Sequence, residues 1–222
     1  MKRFLFLLFF CCFILSSCIE IIDDLAVNLD GSGTFKYTIN LSSSKVKVNS
    51  ILALDSFDGK KVPKLGEIDA KFNQFKELLS KEKGITSVQL EFNRVEFIVK
   101  VTVGFTSIEG LQNGVKSVIN QMDPHGEITQ EEGNWIQWDT KTLQRIIPKL
   151  MEDRIKGETK ADNELLRHGS YTCISRLPKP IQSCSNELCK LNPAKTAAML
   201  RVNTLELKTN PALLKHTLTT SP

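Results

Sequence analysis

Missing from this chain are most of the patterns from which catalysis is usually read. Only three histidines occur, His125, His168 and His216; they lie far apart, and each sits beside a glycine or a lysine. No Gly-x-Ser-x-Gly elbow, phosphate-binding loop, Gly-x-Gly-x-x-Gly or His-Glu-x-x-His occurs, so hydrolase, nucleotide and zinc-protease chemistry have no anchor here. Charge of one sign is also scarce. The formal net charge is +4, and no basic stripe with interleaved aromatics appears, which argues against nucleic acid as a partner. Beyond residue 15 no apolar run is long enough to cross a bilayer. With 41% hydrophobic and 24% charged residues, the chain reads as globular and non-enzymatic, with no cofactor expected.

What is present is concentrated at the N-terminus. Lys2 and Arg3 precede an unbroken apolar run, Phe4 to Leu15, and Leu15-Ser16-Ser17-Cys18 closes it. About a dozen apolar residues suit a signal peptide, whereas a membrane span needs roughly 20. The pattern is similar to bacterial lipoprotein signals: residues 1–17 form the removable leader, Cys18 is the lipid attachment site, and residues 18–22 form a short lipidated tether. Two or three acyl chains anchor a protein essentially permanently, which one chain does not. Without Lys2 and Arg3 the net charge falls from +4 to +2. Ile19, in place of Asp, after the cysteine resembles sorting to the outer membrane. The expected location is therefore the cell envelope, at the outer membrane and facing the periplasm.

The remaining residues, 23–222, have the length of a single domain, with 157–169 as a candidate sub-boundary. Leu25, Val27 and Leu29 alternate with polar residues, Asp30-Gly31-Ser32-Gly33 turns the chain, and Phe35, Tyr37, Ile39 and Leu41 alternate again, predicting a hairpin. Residues 42–66 read as a loop with one apolar turn at Ile51 to Leu54. Ile68, Phe72, Phe75, Leu78 and Leu79 stripe a helix over Glu67 to Lys83, with Gly84 suited to its end. A second hairpin follows. A two-residue turn at Asn93-Arg94 would set Phe92 opposite Val95, Leu90 opposite Phe97 and Val88 opposite Val99. Thr106 and Glu109 fit a capping box for a second helix, striped by Ile108, Leu111, Val115, Val118, Ile119 and Met122. A third hairpin is expected around Glu132-Gly133, then a helical stripe from Leu143 to Ile155 interrupted by Pro148, an exposed charged stretch 152–168, and strands at Tyr171–Leu177 and Met199–Leu207. Acidic residues on the hairpins alternate outward, as on solvated faces. This is an α+β fold in ββα order: an antiparallel sheet of hairpins with amphipathic helices packed on one face.

Three further cysteines, Cys173, Cys184 and Cys189, are disulfide candidates in an oxidising compartment, with one thiol left over and the pairing open. With His168 they have the ligand count for zinc, but not its usual Cys-x-x-Cys spacing, so no metal is expected. Asn28-x-Asp30-x-Ser32 resembles the start of a calcium loop, yet Ile39 stands where the bidentate Glu belongs, so a glycine turn explains it. Asp123, His125 and Glu127 fall in a turn. Trp135 and Trp138, on opposite faces of a strand, fit packing.

Leu29-Asp30-Gly31-Ser32-Gly33-Thr34, Gly84-Ile85-Thr86-Ser87-Val88 and Gly104-Phe105-Thr106-Ser107-Ile108-Glu109 occur in the order seen after the lipid cysteine of LppM-type envelope lipoproteins. The chain resembles that family over residues 18–122, although no C-terminal membrane span is evident. The resemblance implies a lipid-anchored α+β domain with an apolar cavity and no known catalytic residues. The expected function is that of a membrane-anchored binding module for a small amphiphile or lipid. The alternatives are a scaffold subunit contacting an envelope protein and, less in keeping with the residues, a metal-dependent hydrolase.

Overall fold

The computed structural model describes residues 19–123, 134–146 and 166–221. In chain order these form β1 (Glu20–Val27), β2 (Gly33–Asn40), α1 (Lys45–Leu52), β3 (Ser56–Phe57), β4 (Lys60–Lys61), α2 (Leu65–Ser80), β5 (Ile85–Asn93), β6 (Ile98–Phe105) and α3 (Ile108–Met122). Then come β7 (Ile136–Trp138), β8 (Thr142–Arg145), β9 (Ser170–Arg176), β10 (Ile181–Cys184), β11 (Lys190–Leu191), β12 (Ala197–Asn203), α4 (Thr204–Thr209) and β13 (His216–Thr220).

The first hairpin forms as its alternation predicts. Leu25 faces Phe35 and Val27 faces Gly33, and Gly31 supplies the positive φ of the turn. In the turn, Asp30 accepts hydrogen bonds from the Ser32 amide and hydroxyl, at 3.0 and 2.7 Å. Those bonds lower its pKa and account for the Asn-x-Asp-x-Ser spacing without calcium.

Seven strands make one sheet in the order β11-β12-β9-β1-β2-β6-β5, and four more make a second in the order β10-β13-β8-β7. The large sheet is mixed, not purely antiparallel, because β9 runs parallel to β1, with Asp23 beside Cys173. A parallel neighbour needs a long crossover, and here it is everything between Val27 and Ser170. The face of the large sheet that carries Leu25 and Val27 is covered. Leu25, Val27, Val88, Val103 and Phe105 pack against Leu79 of α2, Leu111 and Val118 of α3, and Ile136, Leu143, Ile181 and Leu218 of the small sheet. A fully buried leucine of this kind stabilises by about 1.5–3 kcal/mol. Tyr171, Cys173, Leu200 and Val202 continue the same face beneath Leu207 of α4.

Several elements differ from the sequence expectation. The β5–β6 register is displaced by four residues: Phe92 faces Val99, Leu90 faces Val101 and Val88 faces Val103. Asn93 Oδ1 accepts from the amides of Val95 and Glu96, both at 3.0 Å, opening a longer turn in which Phe97 takes φ 52°. An even displacement keeps every side chain on its face, so alternation cannot tell the two registers apart. Leu143 lies in strand β8, paired with Trp138 and Leu218, and does not open a helix. Strands β7 and β8 form a hairpin that turns at Asp139, whose carboxylate accepts from the amides of Lys141 and Thr142. Glu132-Gly133, Pro148 and Ile155 lie outside the described residues. The cap of α3 is Ser107, whose Oγ accepts from Gly110 N at 3.0 Å, one residue after the expected Thr106. The loop expected at 42–66 contains α1 and the β3–β4 pair, and the strand expected at Met199–Leu207 ends at Asn203, where α4 begins. The ββα order therefore holds for β5-β6-α3 but is interrupted between β2 and α2.

Gly84 ends the α2 segment at φ +90°, and a Cβ there would lie 2.9 Å from Gly110 Cα. This contact lets the β5 entry lie directly against the start of α3.

Candidate functional site

Two features stand out: a polar cluster buried between the sheets, and an open groove at the edge of the larger one.

The buried cluster centres on Asp23. Its position on β1 is in phase with Leu25 and Val27, so its side chain enters the core, at 4% exposure, instead of alternating outward as expected. Arg145 Nη2 of β8 donates to Asp23 Oδ2, which also accepts the Tyr171 hydroxyl at 3.1 Å. Tyr37 stands opposite Asp23 across the hairpin. Burial, aided by the Asp23 carboxylate, pushes the Tyr37 phenol up to about 12 and raises Tyr171 as well. His216 pairs with Arg145 across the β13–β8 ladder. Its Nδ1 donates to Leu214 O at 2.8 Å, and burial depresses its pKa to about 4. Asp23 Oδ1, Arg145 Nη1 and His216 Nε2 have no partner among the described residues. These residue types could move protons, but Asp23, Arg145, Tyr171 and His216 are between 3% and 8% exposed, which leaves a substrate no approach. The cluster joins the two sheets. Asp24, the next residue, points outward and carries a bidentate pair with Arg176 at 2.8 and 2.9 Å.

The groove is an open space of about 470 Å³ between the N-terminal half of α2 and the end of β5, lined by Asp69, Phe72, Asn73, Leu90, Phe92 and Arg94. Phe72 and Phe92 meet edge to face, with ring centroids 5.3 Å apart. At the rim Arg94 grips Asp69 through Nε–Oδ1 at 3.2 Å and Nη2–Oδ2 at 2.8 Å. The α2 stripe reaches full burial only at Leu79, so Phe72 keeps part of its ring uncovered. The size falls within the range of small-molecule sites.

Of the residues singled out from the sequence, Cys18, His125 and Glu127 lie outside the described residues. Cys189 packs against both hydrophobic clusters, the one that Cys184 also meets and the one that holds Cys173. Cys173 is buried on β9, and its thiol is pushed up to about 12 by burial. Burial, with the Cys184 thiol beside it, pushes the Cys189 thiol up to about 12. The turn that returns Cys189 is made by Asn186, whose carbonyl accepts from Cys189 N at 3.1 Å and whose side chain donates to Leu213 O and Lys215 O, each at 2.9 Å. All three cysteines carry free thiols in this structure. His168 sits exposed in a turn before β9, and among the described residues no three His, Cys, Asp or Glu side chains gather as a metal would require. Trp135 and Trp138 both pack on the core. Buried Gln112 of α3 accepts from the amides of Trp135 and Ile136, at 2.6 and 2.8 Å, which fixes the small sheet to that helix.

Among the described residues no helix is long and apolar enough to cross a membrane. No protein-family model and no curated protein matches the chain. Among solved structures, the chain is similar to the NMR structure of the folded domain of LppM from Mycobacterium tuberculosis, with 6% sequence identity and a TM-score of 0.40 over 93% of each chain.

Proposed function

We propose that this chain is a lipid-anchored, non-enzymatic binding protein of the cell envelope. Cys18, freed of residues 1–17 and acylated, holds the α+β domain at the outer membrane, facing the periplasm. The groove between α2 and β5 takes the apolar chain of a small amphiphile. The observation that carries this reading is the partly uncovered Phe72–Phe92 pair beneath the Arg94–Asp69 rim: an aromatic floor for an alkyl chain beside a cation for an anionic headgroup. Titration with a fluorescent long-chain fatty acid tests it. Binding should saturate at one probe per chain, and Phe72→Asp should weaken it at least about tenfold, because a charge replaces the ring that the chain covers. Equal affinity in the variant would contradict the groove as the site.

A second reading has its own support. Among the described residues strand β5 pairs only with β6, which leaves its outer edge for a strand from an envelope protein, as in β-augmentation.

The cysteines enter the same account. Cys184 and Cys189 form the disulfide once the chain meets a disulfide-bearing oxidant: two thiols lose their hydrogens, one S–S bond forms, and the oxidant's own disulfide is reduced to two thiols. Cys173 is left as the buried thiol. Protein isolated from the envelope without reductant should be lighter by two hydrogens, and the cross-linked peptide should join Cys184 to Cys189. A cross-link through Cys173, or three alkylatable thiols, would contradict this assignment.

A further inference from the structure

The sheet register fixes which end of the domain lies beside the anchor. Glu20 of β1 faces Asn40, Asn40 faces Ile98, and Ile98 faces Asn93. The start of β1, the end of β2 and the β5–β6 turn therefore share one end of the sheet, with β5 three strand spacings, about 15 Å, from β1. Ile19 is itself tied into the sheet, since its carbonyl accepts from Ser170 N at 2.8 Å. Cys18 thus directly precedes a fixed point, with adjacent Cα atoms about 3.8 Å apart.

Everything between β2 and α2 is inserted at this same end, because β2 stops there and α2 starts there, with Asp69 gripping Arg94. That stretch, 41–65, holds five lysines, Lys45, Lys47, Lys60, Lys61 and Lys64, against two aspartates. It is also apolar where it is exposed. Of the eight large hydrophobic side chains exposed among the described residues, Val46, Leu54 and Leu65 lie in this stretch, and Val95, 75% exposed, lies in the β5–β6 turn at the same end. Lys45 ties α1 to the β5–β6 turn through Glu96 at 3.0 Å, while Lys61 and Lys64 pair with Glu67 and Asp55 at 2.9 and 3.4 Å. These pairs are exposed and hold their partners weakly, so a phosphate can take the lysines over.

We infer that α1, the β3–β4 pair and the β5–β6 turn form a face that lies on the surface of an anionic phospholipid bilayer. Its lysines meet lipid phosphates, and Val46, Leu54, Leu65 and Val95 enter the headgroup layer. The inference rests on Cys18 being the anchor, and it deepens the proposed function, since the groove opens at this face. Each lysine held near an anionic surface contributes roughly fivefold in affinity, and exposed apolar side chains among them suit the interface.

The test uses the acylated protein on vesicles of phosphatidylcholine alone and of phosphatidylcholine mixed with phosphatidylglycerol. Flotation is read first, then amide exchange. The protein should float with both. Amides of residues 42–65 and 94–97 should exchange at least about fivefold more slowly on the anionic vesicles, and the variant K45E/K60E/K61E should lose that protection with exchange elsewhere unchanged. Equal exchange on the two vesicles, protection of the Asn28–Gly33 turn at the opposite end, or undiminished protection in the variant would overturn the inference while leaving the anchor standing. Failure to float with either vesicle would overturn both.

Discussion

Replacing Asp23 with alanine should cost about 3–5 kcal/mol of stability, the expected penalty for leaving one member of a buried ion pair alone. Arg145, 6% exposed, would keep its charge with no carboxylate beside it, and the Tyr171 hydroxyl would lose its acceptor. Few single changes in the chain should match that loss, because the pair joins strands 122 residues apart and belonging to different sheets. Arg145→Met should cost a similar amount, from the other side. The double variant Asp23→Leu with Arg145→Met should cost much less than the two losses added, since well-packed apolar groups can replace a buried pair at little expense. Tyr171→Phe should cost only about 1 kcal/mol. Urea unfolding checks all four. Simple additivity, or a loss for Asp23→Ala below about 1 kcal/mol, would mean that the pair does not hold the sheets together.

Acid should weaken the fold well before most carboxylates titrate. In the unfolded chain His216 takes up a proton near pH 6.5, whereas in the folded chain burial delays that uptake to about 4. Between those values the unfolded state holds the extra proton, so stability falls as pH falls, by about 1.4 kcal/mol per unit and roughly 3 kcal/mol in all. Above pH 6.5 the contribution is constant. Arg145 adds to the repulsion and Asp23 partly opposes it. His216→Gln should flatten the difference in stability between pH 6.5 and 4. A variant with the same acid slope as the parent chain would contradict this origin.

The sequence speaks clearly where structure is local. Alternation located β1, β2 and β9, and the stripes of Phe72, Phe75 and Leu79 and of Leu111, Val115 and Val118 located the two long helices, because each pattern is set by neighbours a few residues away. Register was harder. The faces of Val88, Leu90 and Phe92 are the same in either register, and the choice rests on Asn93 capping a longer turn. The parallel pairing of β1 with β9 leaves no local trace, since it depends on a crossover of more than a hundred residues. Leu143 lies in a strand where a helix is expected, because an apolar residue before a proline-broken stretch fits a helix stripe as well as a short strand.

The buried cluster did carry a signal. Asp23 keeps strict step with Leu25 and Val27, and a charged residue in phase with a core face calls for a partner inside. Arg145 could not be paired with it from spacing alone. The groove is legible only in part: Phe72 and Phe92 each read as core, and their incomplete cover follows from where α2 begins relative to the β5–β6 turn. The proposed lipidation of Cys18 rests on the sequence alone.

Native mass spectrometry of the protein purified from its own host's membranes tests the central claim most directly. The chain should begin at Cys18 with a diacylglyceryl adduct and carry one non-covalent amphiphile, and Phe92→Asp should keep the adduct while losing the bound species. A chain that retains residues 1–17 unmodified, or a bound species that persists in Phe92→Asp, would contradict it.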